Sequence, residues 1–65
     1  MELMGRVKAY DEKAKPHEFN VCRRPNGYII QLDGEEIRTA ATNLDAIAVI
    51  LEEAEKRGYR RGPGT

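Results

Sequence analysis

Residues 23–38 read RRPNGYIIQLDGEEIR and contain two turn signals, one on each side of a short run with high strand preference. Asn26-Gly27 and Asp33-Gly34 are dipeptides typical of hairpin turns, because both of their residues accept positive φ angles and so match the twist of the flanking strands. The run between them, Tyr28 to Leu32, is rich in aromatic and β-branched residues. The segment predicts a three-stranded antiparallel meander, near residues 19–40.

The register of this meander follows from its turns. Two-residue turns at both dipeptides place Arg24 opposite Ile29, and Ile30 opposite Ile37. Since side chains alternate across a strand, the register divides the meander into two faces. The face expected to meet a helix carries Val21, Tyr28, Ile30, Leu32 and Ile37. The face expected to point outward carries Cys22, Arg24, Ile29, Gln31, Glu36 and Arg38.

An amphipathic helix is predicted after the meander, near Asn43 to Arg57. Thr42 is a typical N-cap, because its hydroxyl can accept a hydrogen bond from the backbone N–H near Asp45. Gly58 is a natural residue to end the helix. The stripe expected to face the sheet consists of Leu44, Ile47, Ala48, Leu51 and Ala54, widened by Ile50. Val49 is expected on the exposed side, as Ile29 is on the sheet.

The N-terminal arm, residues 1–15, has two interpretations. As a helix it places Leu3, Val7 and Tyr10 on one face, and as an added edge strand its residues alternate. We favour a short helix or a loosely held arm, and Pro16 ends the element in either case. The predicted organisation is a single α+β domain with this arm, a sheet-plus-helix core at 16–58, and a flexible basic tail at 59–65.

The composition limits the classes of function. A chain of 65 residues lies near the lower size limit for folding alone, so a homodimer is one expectation. One cysteine and one histidine exclude an internal disulfide and a multi-cysteine zinc site, and no metal or cofactor is expected. Eleven basic residues balance eleven acidic ones, which disfavours non-specific nucleic-acid binding. Without a long apolar run or a signal sequence, we expect a cytoplasmic protein and no membrane contact.

The outward face of the sheet is the main candidate site. Arg24, Ile29, Gln31 and Arg38 are expected to contact a partner, most plausibly a protein. The alternative is DNA binding by the same face, because Arg reads guanine and Gln reads adenine in the major groove. The candidates for phosphate contacts are Lys13, Lys15, Arg60 and Arg61.

Catalysis finds little support in the sequence. A nucleophile pair of Cys22 and His17 is conceivable, but no residue is available to orient it and no oxyanion site is evident. His17 follows Pro16 and is expected in a connecting loop. We therefore expect a chain that is not an enzyme.

The order of elements resembles two kinds of small domain. Arg24-Pro25-Asn26-Gly27-Tyr28 and the strand-to-helix step at Thr42 resemble the arm-site DNA-binding domains of tyrosine recombinases, and that resemblance implies a sheet that reads DNA and is backed by a helix. Tyr28 to Glu53 is similar in topology to the partial double-stranded-RNA-binding-like fold of HicB-type antitoxins. The functional hypothesis is a small binding module, such as an accessory protein of a phage or mobile element.

Overall fold

The computed structural model describes residues 2–61, which form an antiparallel sheet with one helix packed on one face. In chain order the elements are β1 (Glu2–Tyr10), β2 (Pro16–Arg24), β3 (Gly27–Leu32), β4 (Glu35–Ala40), α1 (Asn43–Arg57) and the two-residue β5 (Arg60–Arg61). The strand order is β4-β3-β2-β1-β5, and all neighbours are antiparallel. The predicted α+β class, with a C-terminal helix on an antiparallel meander, is confirmed.

The N-terminal arm is a strand and not a helix. Residues 2–10 form β1, which pairs with β2 from Glu2 opposite Arg23 to Tyr10 opposite Pro16. The register shifts between Leu3 and Gly5, so a bulge leaves the extra residue Met4 unpaired between them. The meander therefore has four main strands instead of three. Hydrogen bonds to β2 favour the strand, and no local sequence pattern contains that information.

The first hairpin turn lies one residue earlier than predicted. Arg24 pairs with Gly27, so Pro25 and Asn26 form the turn, and Cys22 instead of Arg24 lies opposite Ile29. This shift changes the pairing of β2 and β3 by two residues, which leaves each side chain on its predicted face. Gly27 is required here: its φ is 142°, and a Cβ would lie 2.7 Å from the carbonyl oxygen of Ala40.

The second hairpin turn is Asp33-Gly34, as predicted, with φ angles of 52° and 87°. Leu32 pairs with Glu35, but a bulge in β4 then places Arg38, and not Ile37, opposite Ile30. The extra residue reverses the side on which later side chains emerge. The prediction that Arg38 lies on the outward face is wrong, because this bulge turns it toward α1.

Helix α1 has the predicted bounds and the predicted caps. The backbone N–H of Asp45 donates to Oγ1 of Thr42 at 3.1 Å, and Gly58 adopts the left-handed conformation with φ of 76°. The helix is nevertheless rotated from the orientation that we predicted. Its buried residues are Ala46, Val49, Ile50 and Glu53, whereas four residues of the predicted stripe are exposed: Leu44, Ile47, Ala48 and Leu51.

Two contacts fix this rotation. Ala46 has no exposed surface, and its small side chain lets the first turn approach the sheet closely. Toward the other end, the carboxylate of Glu53 is held by Arg38 from β4 and by Arg57 one turn later in α1. Val49 lies between these points and is buried, which corrects the expectation that it faces solvent.

The chain after Gly58 continues the fold. The ring of Tyr59 stacks on His17 with centroids 4.4 Å apart, and β5 pairs Arg60 with Tyr10. Tyr59 thus packs against the core, and the predicted division into an arm, a core and a tail stays a prediction. Residues 62–65 of the predicted tail and the side chain of Arg61 lie outside the described part of the chain.

Candidate functional site

An apolar groove lies between the helix and the first strand. Helix α1 packs on β3 and β4 and leaves the neighbouring part of the same sheet face open. The opening, which we name the α1–β1 groove, has a volume of about 330 Å³. It is lined by Val7, Lys8 and Ala9 of β1, Phe19 of β2, Ile47, Ile50, Leu51, Ala54 and Glu55 of α1, and Tyr59 and Arg60.

The walls of the groove are large aliphatic side chains in contact with solvent. Val7 stands on the helix side of the sheet because it pairs with Phe19, which is a fully buried core residue. From the opposite wall, Ile47 and Leu51 project one helical turn apart. Val7, Ile47 and Leu51 are 43%, 48% and 56% exposed. Single exposed apolar residues are normal, whereas these three are grouped around one groove, which makes it the candidate interaction surface.

One end of the groove is fixed by a histidine between two carboxylates. Nδ1 of His17 is 2.7 Å from Oδ2 of Asp33, and its Nε2 is 3.1 Å from Oδ2 of Asp11. The hydrogen bond to Asp33, followed by that to Asp11, raises the pKa of His17, and the same bonds lower the pKa of both aspartates. The His17 ring stacks against the ring of Tyr59, which lines the groove. The cluster therefore joins two turns of the sheet to the segment after α1.

This arrangement gives His17 a structural role. It lies within β2 and not in a loop, which corrects the prediction, and both of its ring nitrogens already have carboxylate partners. Cys22 is buried and pairs with Ile29, so it lies on the opposite face of the sheet from His17. Among residues 2–61, no cluster of three or more His, Cys, Asp and Glu could hold a metal ion.

The outward face contains three of the four predicted partner-binding residues. Arg24 on β2 pairs with Glu36 on β4 at 3.7 Å, so this ion pair spans β3. Ile29 lies on β3 between them and is only 1% exposed, which corrects the expectation of an exposed residue. Gln31 is half-buried, and its Oε1 is 3.9 Å from the Cys22 thiol. The predicted partner-binding residues on this face are therefore mainly paired or covered.

The remaining predicted residues are dispersed. The guanidinium of Arg38 lies 3.1 Å from the carboxylates of both Glu52 and Glu53, on the helix side of the sheet. Lys13 and Lys15 follow β1 and line a depression with Arg57 and with the acidic Asp11 and Glu12. Arg60 lies at the α1–β1 groove instead. Arg60 pairs with Tyr10, at the end of β1 that precedes Lys13 and Lys15, and a shared phosphate-binding surface stays a prediction.

The residues of the groove were missed because the sequence assigned them to the core. Leu51 and Ile47 belong to the stripe predicted to face the sheet, and Val7 belongs to an arm predicted as a helix. One feature of the sequence indicated that part of the apolar surface of α1 could remain exposed. The apolar arc of α1 spans Leu44 to Ala54 with members on two adjacent stripes, which is wider than a single-sided surface helix requires.

Comparison with protein-family models, with curated proteins and with solved structures finds no match for this chain. Among the described residues, α1 is neither long enough nor apolar enough to cross a membrane.

Proposed function

We propose that this chain is a small non-catalytic binding module that contacts a protein partner through the α1–β1 groove. The observation that carries the proposal is the cluster of half-exposed aliphatic side chains, Val7, Ile47 and Leu51, above a buried aromatic floor at Phe19. Removing such surface from water stabilises a complex in proportion to its area. The partner surface differs from the one suggested by the sequence, since the outward sheet face has fewer accessible apolar groups.

The size of the groove favours a protein over a small molecule. Its volume of about 330 Å³ is at the lower end of the range for small-molecule sites. Here the polar side chains, Lys8, Glu55 and Arg60, accompany a lining that is otherwise mostly apolar. An amphipathic helix from another protein can insert a few apolar side chains into such a groove and keep its polar face in water.

A binding assay with matched variants tests the proposal. The bait is the whole chain on a solid support, as wild type, as Leu51→Glu, and as the control Leu3→Glu. Leu3 is 46% exposed, comparable with Leu51, but it pairs with Cys22 and so lies on the outward face. We expect a protein from the source organism to be retained by the wild type and the control and lost by Leu51→Glu. Equal retention by all three baits, or by none, would contradict the proposal.

DNA binding by the outward face stays a prediction with its own test. Of its expected readers, Arg24 and Gln31 remain on that face. The phosphate contribution to affinity is greatest at low salt, so a random duplex should then shift in a gel and Arg24→Ala should weaken the shift. Absence of a shift at low salt would remove this alternative.

A further inference from the structure

The helix layer of this fold covers only part of its sheet. The five strands from β4 to β5, spaced by about 4.8 Å, span roughly 19 Å, whereas a helix with its side chains is roughly 10 Å across. Helix α1 lies on β3 and β4, so a strip of the same face along β1 has room for a second helix. Within residues 2–61 the chain supplies one helix.

The side of α1 that borders the groove has the pattern of a helix–helix seam. Leu44, Ile47, Leu51 and Ala54 are separated by three, four and three residues. This is the spacing of a and d positions in a heptad, at which apolar residues of one helix insert between those of another. Leu44 is 78% exposed and lies at the N-terminal end of this seam. The seam is separate from the stripe formed by Ala46, Val49, Ile50 and Glu53, which packs on the sheet.

We propose that the occupant of the α1–β1 groove is helix α1 of a second copy of this chain, packed antiparallel about a twofold axis. This inference rests on the proposed function. A twofold interface needs a surface that is complementary to itself. The seam meets that requirement: Leu44 faces Ala54 of the second copy, and Ile47 faces Leu51 of the second copy. The most exposed residue of the seam, Leu44, thus meets its smallest residue, Ala54. The second helix also covers Val7, which a lone helix leaves exposed.

The charges beside the seam agree with the antiparallel direction. Glu55 flanks the seam one residue after Ala54. In the antiparallel arrangement it lies level with Asn43 of the second copy, beside the positive N-terminal end of that helix. A carboxylate at this end is stabilised by the helix dipole and the free N–H groups. Ala48, the other flanking residue, is exposed and small, so it permits close approach of the two helices.

The mass of the protein in solution tests this interface. Sedimentation equilibrium from micromolar to millimolar concentration should show a reversible dimer of weak affinity, because the seam is short. Ile47→Glu should raise the dissociation constant by more than about tenfold, because it places two buried charges in the seam. The control Leu3→Glu should dimerise as the wild type does, since Leu3 and Ile47 are exposed by 46% and 48%. Circular dichroism should show that each variant remains folded.

Cross-linking tests the direction of the helices. In a Cys22→Ser background, a mixture of Ile47→Cys and Leu51→Cys chains should form a mixed disulfide dimer more readily than either variant alone. Preferential self-linking of either variant would overturn the antiparallel arrangement. A dimer that persists unchanged in Ile47→Glu would overturn this interface.

The two proposals can fail separately. A wild type that stays monomeric at millimolar concentration overturns the second copy as the occupant. If the wild type is a monomer but retains a protein that the Leu51→Glu bait does not retain, the proposed function stands with a different partner. A monomer whose bait retains nothing contradicts both.

Discussion

The carboxylate of Glu53 and the guanidinium of Arg38 meet between α1 and β4, with Nη1 of Arg38 3.1 Å from Oε2 of Glu53. Glu53 is only 4% exposed and is the one buried charged residue among those that the structure describes. Arg57 donates to the other carboxylate oxygen and, together with Arg38, lowers the pKa of Glu53. A buried carboxylate is tolerated only with such partners. The bulge in β4, which turns Arg38 inward, is thus coupled to the rotation of the helix.

Removal of Arg38 should destabilise the protein above the ordinary pKa of Glu53 and should make its stability fall less as the pH is lowered. In Arg38→Met the pKa of Glu53 rises toward its ordinary value of 4.5, because one of its two cationic partners is lost. A lowered folded-state pKa stabilises the protein at pH values above the ordinary pKa, and this stabilisation is lost as the pH falls. The variant should have less of this pH-dependent stabilisation. Carboxyl titration by NMR and acid unfolding followed by circular dichroism measure both effects. The control is Arg24→Met, which removes an exposed pair and should behave as the wild type.

The pH dependence of stability should depend on His17. Its pKa is raised, so its contribution is complete below the ordinary value of 6.5 and is lost as pH rises through the raised value. The lowered pKa values of Asp11 and Asp33 give the opposite limit: their contribution is present above 3.8 and is lost as pH falls. The free energy of unfolding should therefore be highest between these limits.

Urea denaturation over a pH series measures this profile. In His17→Gln the decline above the ordinary histidine pKa should disappear, because the substituted amide does not titrate. If the variant retains the same decline as the wild type, His17 is not its source.

Ile29 should behave as a core residue although it lies on the uncovered face of the sheet. Ile29→Ala is expected to lower the free energy of unfolding by about 2–5 kcal/mol, the range for a large-to-small change at a buried site. Ile47→Ala, which shortens a half-exposed side chain, should cost the monomer less than about 1 kcal/mol. Denaturant unfolding at low protein concentration compares the two. Similar costs would show that the outward face does not bury Ile29.

Gly27 should not tolerate a side chain. Gly27→Ala combines an unfavourable φ of 142° with a contact of 2.7 Å to the carbonyl oxygen of Ala40, so we expect a loss of about 1–3 kcal/mol. The matched control is Gly5→Ala, for which no atom lies within 4 Å of the added Cβ. That change should be neutral or stabilise by about 0.5 kcal/mol through the unfolded chain. Thermal unfolding distinguishes them, and an unaltered Gly27→Ala would contradict this account.

Local signals were sufficient for the elements that depend on neighbouring residues. The turn at Asp33-Gly34 needs only two residues that accept positive φ, and both caps of α1 are set by side chains or glycines within one turn. These features were predicted correctly because their interactions are close in the sequence. The α+β class followed from them, since an amphipathic helix after a meander has one face to cover.

The tertiary structure was needed wherever two local patterns were equally good. Residues 2–10 alternate as a strand and repeat as a helix, and pairing with β2 chose the strand. The two apolar stripes of α1 differ little in periodicity, and contacts of Ala46 and Glu53 with the sheet chose which one is buried. A bulge in β4 moved Arg38 from one face to the other. In each case the deciding interaction joins residues that are distant in sequence, so it cannot be predicted from periodicity along the chain.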